Sequence, residues 1–158
     1  MDIKLWSVAG NTQALDGGAM FGVVPRVMWE KKHPADEFNR IDLDLRCLLA
    51  ENGERRILVD TGMGDRWAEA KADMFGLRRR PNQLVAELAE AGITRESITD
   101  VILTHLHFDH AGGTFREVDG ALEPTFPAAL PRVRLRARDR VFQLHLTTFD
   151  PTSGEVLT

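Results

Sequence analysis

Tyrosine is absent from this 158-residue chain, and cysteine occurs once. The lone thiol, Cys47, has no partner for an internal disulfide, so the fold rests on packing and suits a reducing compartment, the cytoplasm. Arg46 and Leu48 flank it with no local Cys-His pattern, so Cys47 reads as a small buried apolar residue rather than a nucleophile. No apolar run is long enough to span a bilayer. Met1 to Gly10, which carries Asp2 and Lys4, lacks the apolar segment of a secretory signal. A phosphate loop is missing too: Gly62 and Gly64 are followed by no third glycine at Trp67 and by no lysine.

What remains is the composition of one globular domain, with 43% hydrophobic residues and a net charge of −4. The charge is unevenly spread. Arg132, Arg134, Arg136, Arg138 and Arg140 stand against Asp139 alone, so a basic patch is set on an acidic body. No aromatic interleaving or recognition motif accompanies it, and nucleic acid is not the expected partner.

Along the chain, Ile3 to Val8 reads as a first strand. Residues 9 to 40 are rich in Gly, Pro, Asn and charge and read as a long functional loop, with Asp16-Gly17-Gly18 and Val24-Pro25 as turn signals. Ile41, Leu43, Leu45 and Cys47 alternate with Asp42, Asp44 and Arg46, the pattern of a half-buried strand. Asn52-Gly53 signals a hairpin, and Arg56 to Val59 forms the return strand. The turn Asp60 to Asp65 closes that strand. Trp67, Ala70 and Met74 predict one face of a helix from Asp65 to Phe75, interrupted by Arg78-Arg79-Arg80-Pro81. Asn82 then caps a second helix whose Leu84 and Leu88 face inward, ended by Gly92. Asp119-Gly120 predicts a further hairpin between Phe115 and Phe126, and the Arg alternation after Pro131 a strand with one charged face.

The chemistry is concentrated between Thr104 and Gly113, in Thr-His-Leu-His-Phe-Asp-His-Ala-Gly-Gly. Three of the five histidines lie here, directly after the short apolar stretch Asp100-Val101-Ile102-Leu103, so the donors begin where a buried strand ends. In extended chain His105, His107 and Asp109 project to one side. His110 follows without a gap, so the backbone is expected to turn there, with Ala111-Gly112-Gly113 providing the freedom. At this chain's own frequencies a chance His-x-His-x-Asp-His has odds of about four in ten thousand. Clustered imidazoles and a carboxylate at this spacing are a divalent-metal donor set.

The His-x-His-x-Asp-His of His105, His107, Asp109 and His110 resembles the signature of the metallo-β-lactamase superfamily. Leu15 to Pro25, Trp29-Glu30-Lys31-Lys32, Asp60-Thr61-Gly62 and Pro124-Thr125-Phe126-Pro127 resemble its quorum-quenching, N-acyl homoserine lactonase-like branch. The resemblance covers residues 1 to about 128. It implies an α/β (α+β) fold, the metallo-β-lactamase αββα sandwich, truncated to its N-terminal half. Residues 1–128 would be the N-terminal part of that domain, and residues 129–158 an atypical basic tail, truncated or frame-shifted.

By the same resemblance His105 and His107 belong to a first metal, Asp109 and His110 to a second, and Asp60 supports an imidazole from behind. Two zinc ions or similar divalent cations are implied, with hydrolysis of a lactone or ester by a metal-bound hydroxide and Asp109 assisting proton movement. The remaining family ligands come from the C-terminal half. Neither His33 nor His145 sits in the setting of one, and the tyrosine that relatives place near the substrate carbonyl has no counterpart. The alternative is an inactive remnant that binds metal weakly without turnover. Thioester hydrolysis and RNA cleavage also occur on this fold. A sheet face without its facing sheet is expected to drive self-association. No membrane partner is expected.

Overall fold

In the computed structural model, residues 2–78 and 83–129 are described, together with the backbone of residues 148–149 and 156–157. Alternation of apolar and polar side chains makes β2 (Arg40–Glu51) the organising strand of a four-stranded sheet, ordered β1-β2-β3-β4. β1 (Lys4–Asp16) and β3 (Arg56–Val59) pair with it antiparallel, and β4 (Asp100–Ile102) joins β3 in parallel. The parallel step needs a crossover, which helices α3 (Glu69–Met74) and α4 (Gln83–Glu90) supply. After β4 come α5 (Phe108–Ala111) and the hairpin β5 (Phe115–Val118) to β6 (Ala121–Pro124). A two-residue ladder joins β7 (Thr148–Phe149) to β8 (Val156–Leu157).

Register decides what each face buries. Leu49 pairs with Leu58, and Leu58 with Val101, so one row of side chains points under α4, where Leu84 and Leu88 meet it. Cys47, Val8, Ile93, Ile98 and Phe126 complete this core. Burying each leucine contributes roughly 1.5–3 kcal/mol, which is what docks α4 on the sheet. The opposite face carries Leu48, Val59 and Ile102 in one row and Leu5, Ala50 and Ile57 in the next. It stays open: Leu5 is 63%, Leu48 42% and Ile102 52% exposed. Asp100, buried where β4 begins, is compensated by the guanidinium of Arg55, which donates through Nε at 2.9 Å.

The strands at Arg56–Val59 and Asp100–Ile102, both hairpins, and the inward-facing Leu84 and Leu88 lie where the sequence places them. The long loop expected over residues 9 to 40 does not. β1 runs on to Asp16, because after a register shift between Ala9 and Thr12 it pairs again from Thr12 with Asp44 to Asp16 with Arg40. The irregular middle hides a strand whose partners lie between 24 (Asp16 to Arg40) and 32 (Thr12 to Asp44) positions further along the chain. Asp16 ends it and caps α1 (Gly17–Phe21), accepting from the Ala19 N–H at 2.7 Å, and α2 (Arg26–Trp29) follows.

The helix expected from Asp65 to Phe75 is confined to Glu69–Met74, and its buried residue is Ala72. Ala70 and Met74 face solvent, because Trp67 lies before the helix and packs its indole against Phe75 and Phe108. The capping role of Asn82, the Arg alternation from Arg132 to Arg140, and His145 lie outside the described residues.

Burial pushes the Cys47 thiol up to about 12, with the Asp60 charge adding to the effect. The ionised form is therefore disfavoured in the folded chain, so stability falls as pH rises through the window between 9.0, the ordinary thiol value, and about 12. A thiol reagent at pH 8 is expected to leave Cys47 unmodified in the native chain and to label it after denaturation. Rapid native labelling would contradict its place in the core.

Candidate metal centre

Two loops at the same end of the sheet build the site. One follows β3 (residues 60–64), the other follows β4 (residues 103–113), and the parallel pairing of Val59 with Ile102 brings both strands out side by side. The loops are then laced together. Asp60 N–H donates to Ile102 O at 2.8 Å, Thr61 N–H to His110 O at 2.7 Å, and Gly113 N–H to Gly62 O at 3.0 Å. The Thr61 hydroxyl adds a second bond to His110 O at 2.9 Å.

This lacing gives Gly112 and Gly113 their purpose. Neither adopts a positive φ. A Cβ at Gly113 would collide with the carbonyl oxygen of Thr61, and one at Gly112 with that of Met63. The glycines serve close approach, not the backbone freedom expected from the sequence. The chain turns earlier than expected as well, at His107, which precedes the helical turn of α5.

His105, His107 and Asp109 bring one ligand atom each to within 4.8 Å of one another. His110 stands beside this group, its ring centroid 3.9 Å from that of His105 and its Nε2 3.5 Å from Asp109 Oδ2. Burial, reinforced by the neighbouring His110 and His107, pushes His105 below the ordinary imidazole value and so favours the neutral form that ligates metals. Two imidazoles and a carboxylate suit zinc or a similar divalent cation, and the spacing fits donors converging on one ion.

Asp60 lies behind the imidazoles at φ 61°, a left-handed conformation that is uncommon outside glycine. The strain is compensated by four short contacts. Thr104 N–H donates to Oδ1 at 2.8 Å, the Thr104 hydroxyl lies 2.9 Å from each carboxylate oxygen, and His110 Nδ1 is 2.8 Å from Oδ2. Burial opposes ionisation of Asp60, yet the bonds from His110 and Thr104 outweigh it and hold the carboxyl below the usual carboxylate value.

Several supports escaped the sequence reading. Phe108, set between the donors, packs against Phe75 with centroids 4.7 Å apart and against Trp67 at 5.5 Å, which anchors α5 in a cluster with Met63 and Leu77. Asn11, on the irregular stretch of β1, accepts from Met63 N–H at 3.1 Å and steadies the 60–64 loop. Its only sequence signal is a polar residue beside a strand. His33 is held elsewhere, its ring 5.4 Å from that of Phe21.

A cavity of about 450 Å³ opens against Asp109 and His110, with walls from Leu15, Met20, Leu43 and Leu45. A larger groove of about 600 Å³, along Phe38, Arg40 and Leu77, contains none of the histidines.

A mixed sheet whose adjacent strand ends carry converging imidazole and carboxylate groups defines an α/β domain with a candidate metal site. Residues 45–119 match the metallo-beta-lactamase superfamily. An N-acyl homoserine lactonase of Bacillus cereus is 33% identical over 84 residues, which cover 48% of this chain and 34% of the relative. Among solved structures, a probable metal-dependent hydrolase from Staphylococcus aureus superposes with a TM-score of 0.73 at 33% identity, over 82% of this chain and 46% of that one. AidC, a dizinc quorum-quenching lactonase in complex with a product, N-hexnoyl-L-homoserine, gives 0.58 at 28% identity, over 81% and 40%. The chain spans about a third of the length of the curated relatives it matches and under half of these solved structures.

Replacement of Gly113 by Ala forces the Thr61 and Gly113 backbones apart, and a loss of about 1–3 kcal/mol is expected. The urea unfolding midpoint measures it. An unchanged midpoint would mean that the two loops are not packed as described.

Proposed function

We propose that this metal centre serves the hydrolysis of lactones or related carboxylic esters, of the N-acyl homoserine lactone type. The observation that carries the reading is the convergence of His105, His107 and Asp109 within 4.8 Å, with Asp109 also lining a cavity whose other walls include Leu15, Met20, Leu43 and Leu45. A bound divalent cation supplies Lewis acidity and brings the pKa of its water to about 7. The chain's own groups do the rest. His105 and His107 would present ring nitrogens, and Asp109 a carboxylate oxygen. His110 would complete the set, with Asp109 and His110 assigned to a second ion. A carboxylate oxygen of Asp109 not engaged in binding would take up the proton that hydrolysis releases. Leu15, Met20, Leu43 and Leu45 would shelter the acyl chain from water and align the ester with the donors. The lactonase relatives support this choice of substrate, and quorum quenching would be its biological use.

A second reading rests on the donor count. Among the described residues one group of three donors forms, while a catalytic zinc alone calls for three protein ligands and a metal pair for more. A chain that binds one ion weakly and turns nothing over fits that count. Elemental analysis with a lactone-opening assay separates the two. About two metal ions per chain, turnover abolished by a chelator, and loss of both in His107→Ala are expected for the hydrolase. Metal below one per chain without turnover overturns it.

The open face of the main sheet supports a further expectation, self-association through Leu48 and Ile102. Among the described residues no helix is long and apolar enough to cross a membrane. Light scattering is expected to find assemblies that Leu48→Lys disperses. A monodisperse monomer of the unmodified chain would refute this.

A further inference from the structure

We infer that Thr104 is a positioning residue that transmits the Asp60 carboxylate to His105, so that one carboxylate sets the tautomer of two imidazoles. The Thr104 hydroxyl stands 2.9 Å from both oxygens of Asp60 and 3.0 Å from His105 Nδ1. A hydroxyl has one proton to give, and an ionised carboxylate only accepts. The proton therefore goes to Asp60. Towards His105 the oxygen has lone pairs alone, and the contact becomes a hydrogen bond only when His105 carries its proton on Nδ1.

His110 reaches the same carboxylate without an intermediary, with Nδ1 2.8 Å from Asp60 Oδ2, and must donate from Nδ1 for the same reason. Its longer contact with the Thr104 hydroxyl, at 3.3 Å, is secondary. Both rings are thus held with Nδ1–H and a free lone pair on Nε2. Histidine in water favours the opposite tautomer, so this arrangement is imposed by the loop. The Thr104 N–H bond to Asp60 Oδ1 at 2.8 Å fixes the backbone from which the relay is built. The local order matters: Thr104 and His105 are adjacent, so a single side chain links the carboxylate of one loop to the first donor of the other.

The inference rests on the metal-binding reading of the site, but its primary readout needs neither metal nor turnover. Long-range ¹⁵N–¹H correlation spectra of the metal-free chain, recorded where the histidines are neutral, report the tautomer of each ring. The native chain is expected to show Nδ1–H at both His105 and His110. In Thr104→Val, His105 shifts to Nε2–H while His110, bonded directly to Asp60, does not, and Thr104→Ser restores His105. A loop merely loosened by the substitution would change both rings.

Zinc affinity, measured by competition with a chelating dye, is expected to fall about tenfold in Thr104→Val and to recover in Thr104→Ser. Thr104→Ala provides the same removal should the valine variant not fold. An Nε2–H tautomer at His105 in the native chain, an unshifted His105 in Thr104→Val and Thr104→Ala, or a serine variant that behaves like valine would each overturn the relay. Absence of lactone turnover with these tautomer changes intact would count against the proposed reaction and leave the relay standing.

Discussion

The Asp60 carboxylate is the constraint on which the site depends. It closes β3, and through the backbone and hydroxyl of Thr104 and the ring of His110 it gathers three groups from the loop that follows β4. Charge-assisted hydrogen bonds of this kind are the strong ones, and here they compensate both partial burial of an acid and a left-handed backbone. Were Asp60 apolar, the donors of His110 and Thr104 would lose their common partner and the imidazoles their fixed orientation.

Rigid surroundings make that constraint effective. Phe108 sits between His107 and Asp109 in sequence and points into an aromatic cluster with Trp67 and Phe75, so the residue that separates two donors also ties them to the helical crossover. Gly112 and Gly113 let the backbone of the donor loop lie directly on that of residues 61–63. Packing on one side and backbone contact on the other leave Asp109 and His110 lining the cavity that residues of β1 and β2 wall. Function on this reading is a consequence of two strand ends being parallel neighbours.

Much of this was legible locally. The alternation in Ile41 to Leu49, the Asn52-Gly53 and Asp119-Gly120 turns and the apolar run at Val101 each state their structure within a few residues, and the structure follows them. β1 was half legible, since its second part holds its conformation only through β2 and carries an irregularity at Ala9 to Thr12 that breaks the alternation. The helix before Phe75 misled because Trp67 mimics a helical face while packing from outside it. Phe108 gave no signal and Asn11 only that of a polar residue beside a strand, both being ordinary residue types whose importance is a matter of position.

By itself the sequence determined the donor types, their order and their spacing, because a ligand motif at the end of a strand is written in consecutive residues. The tertiary structure decided how those donors are aimed. Asp60 lies 44 positions from Thr104 and 50 from His110, and only the parallel pairing of β3 with β4 brings them within hydrogen-bond reach. Hydrogen-bond direction, ring tautomer and close backbone approach depend on distances between remote residues, and no local pattern encodes such distances.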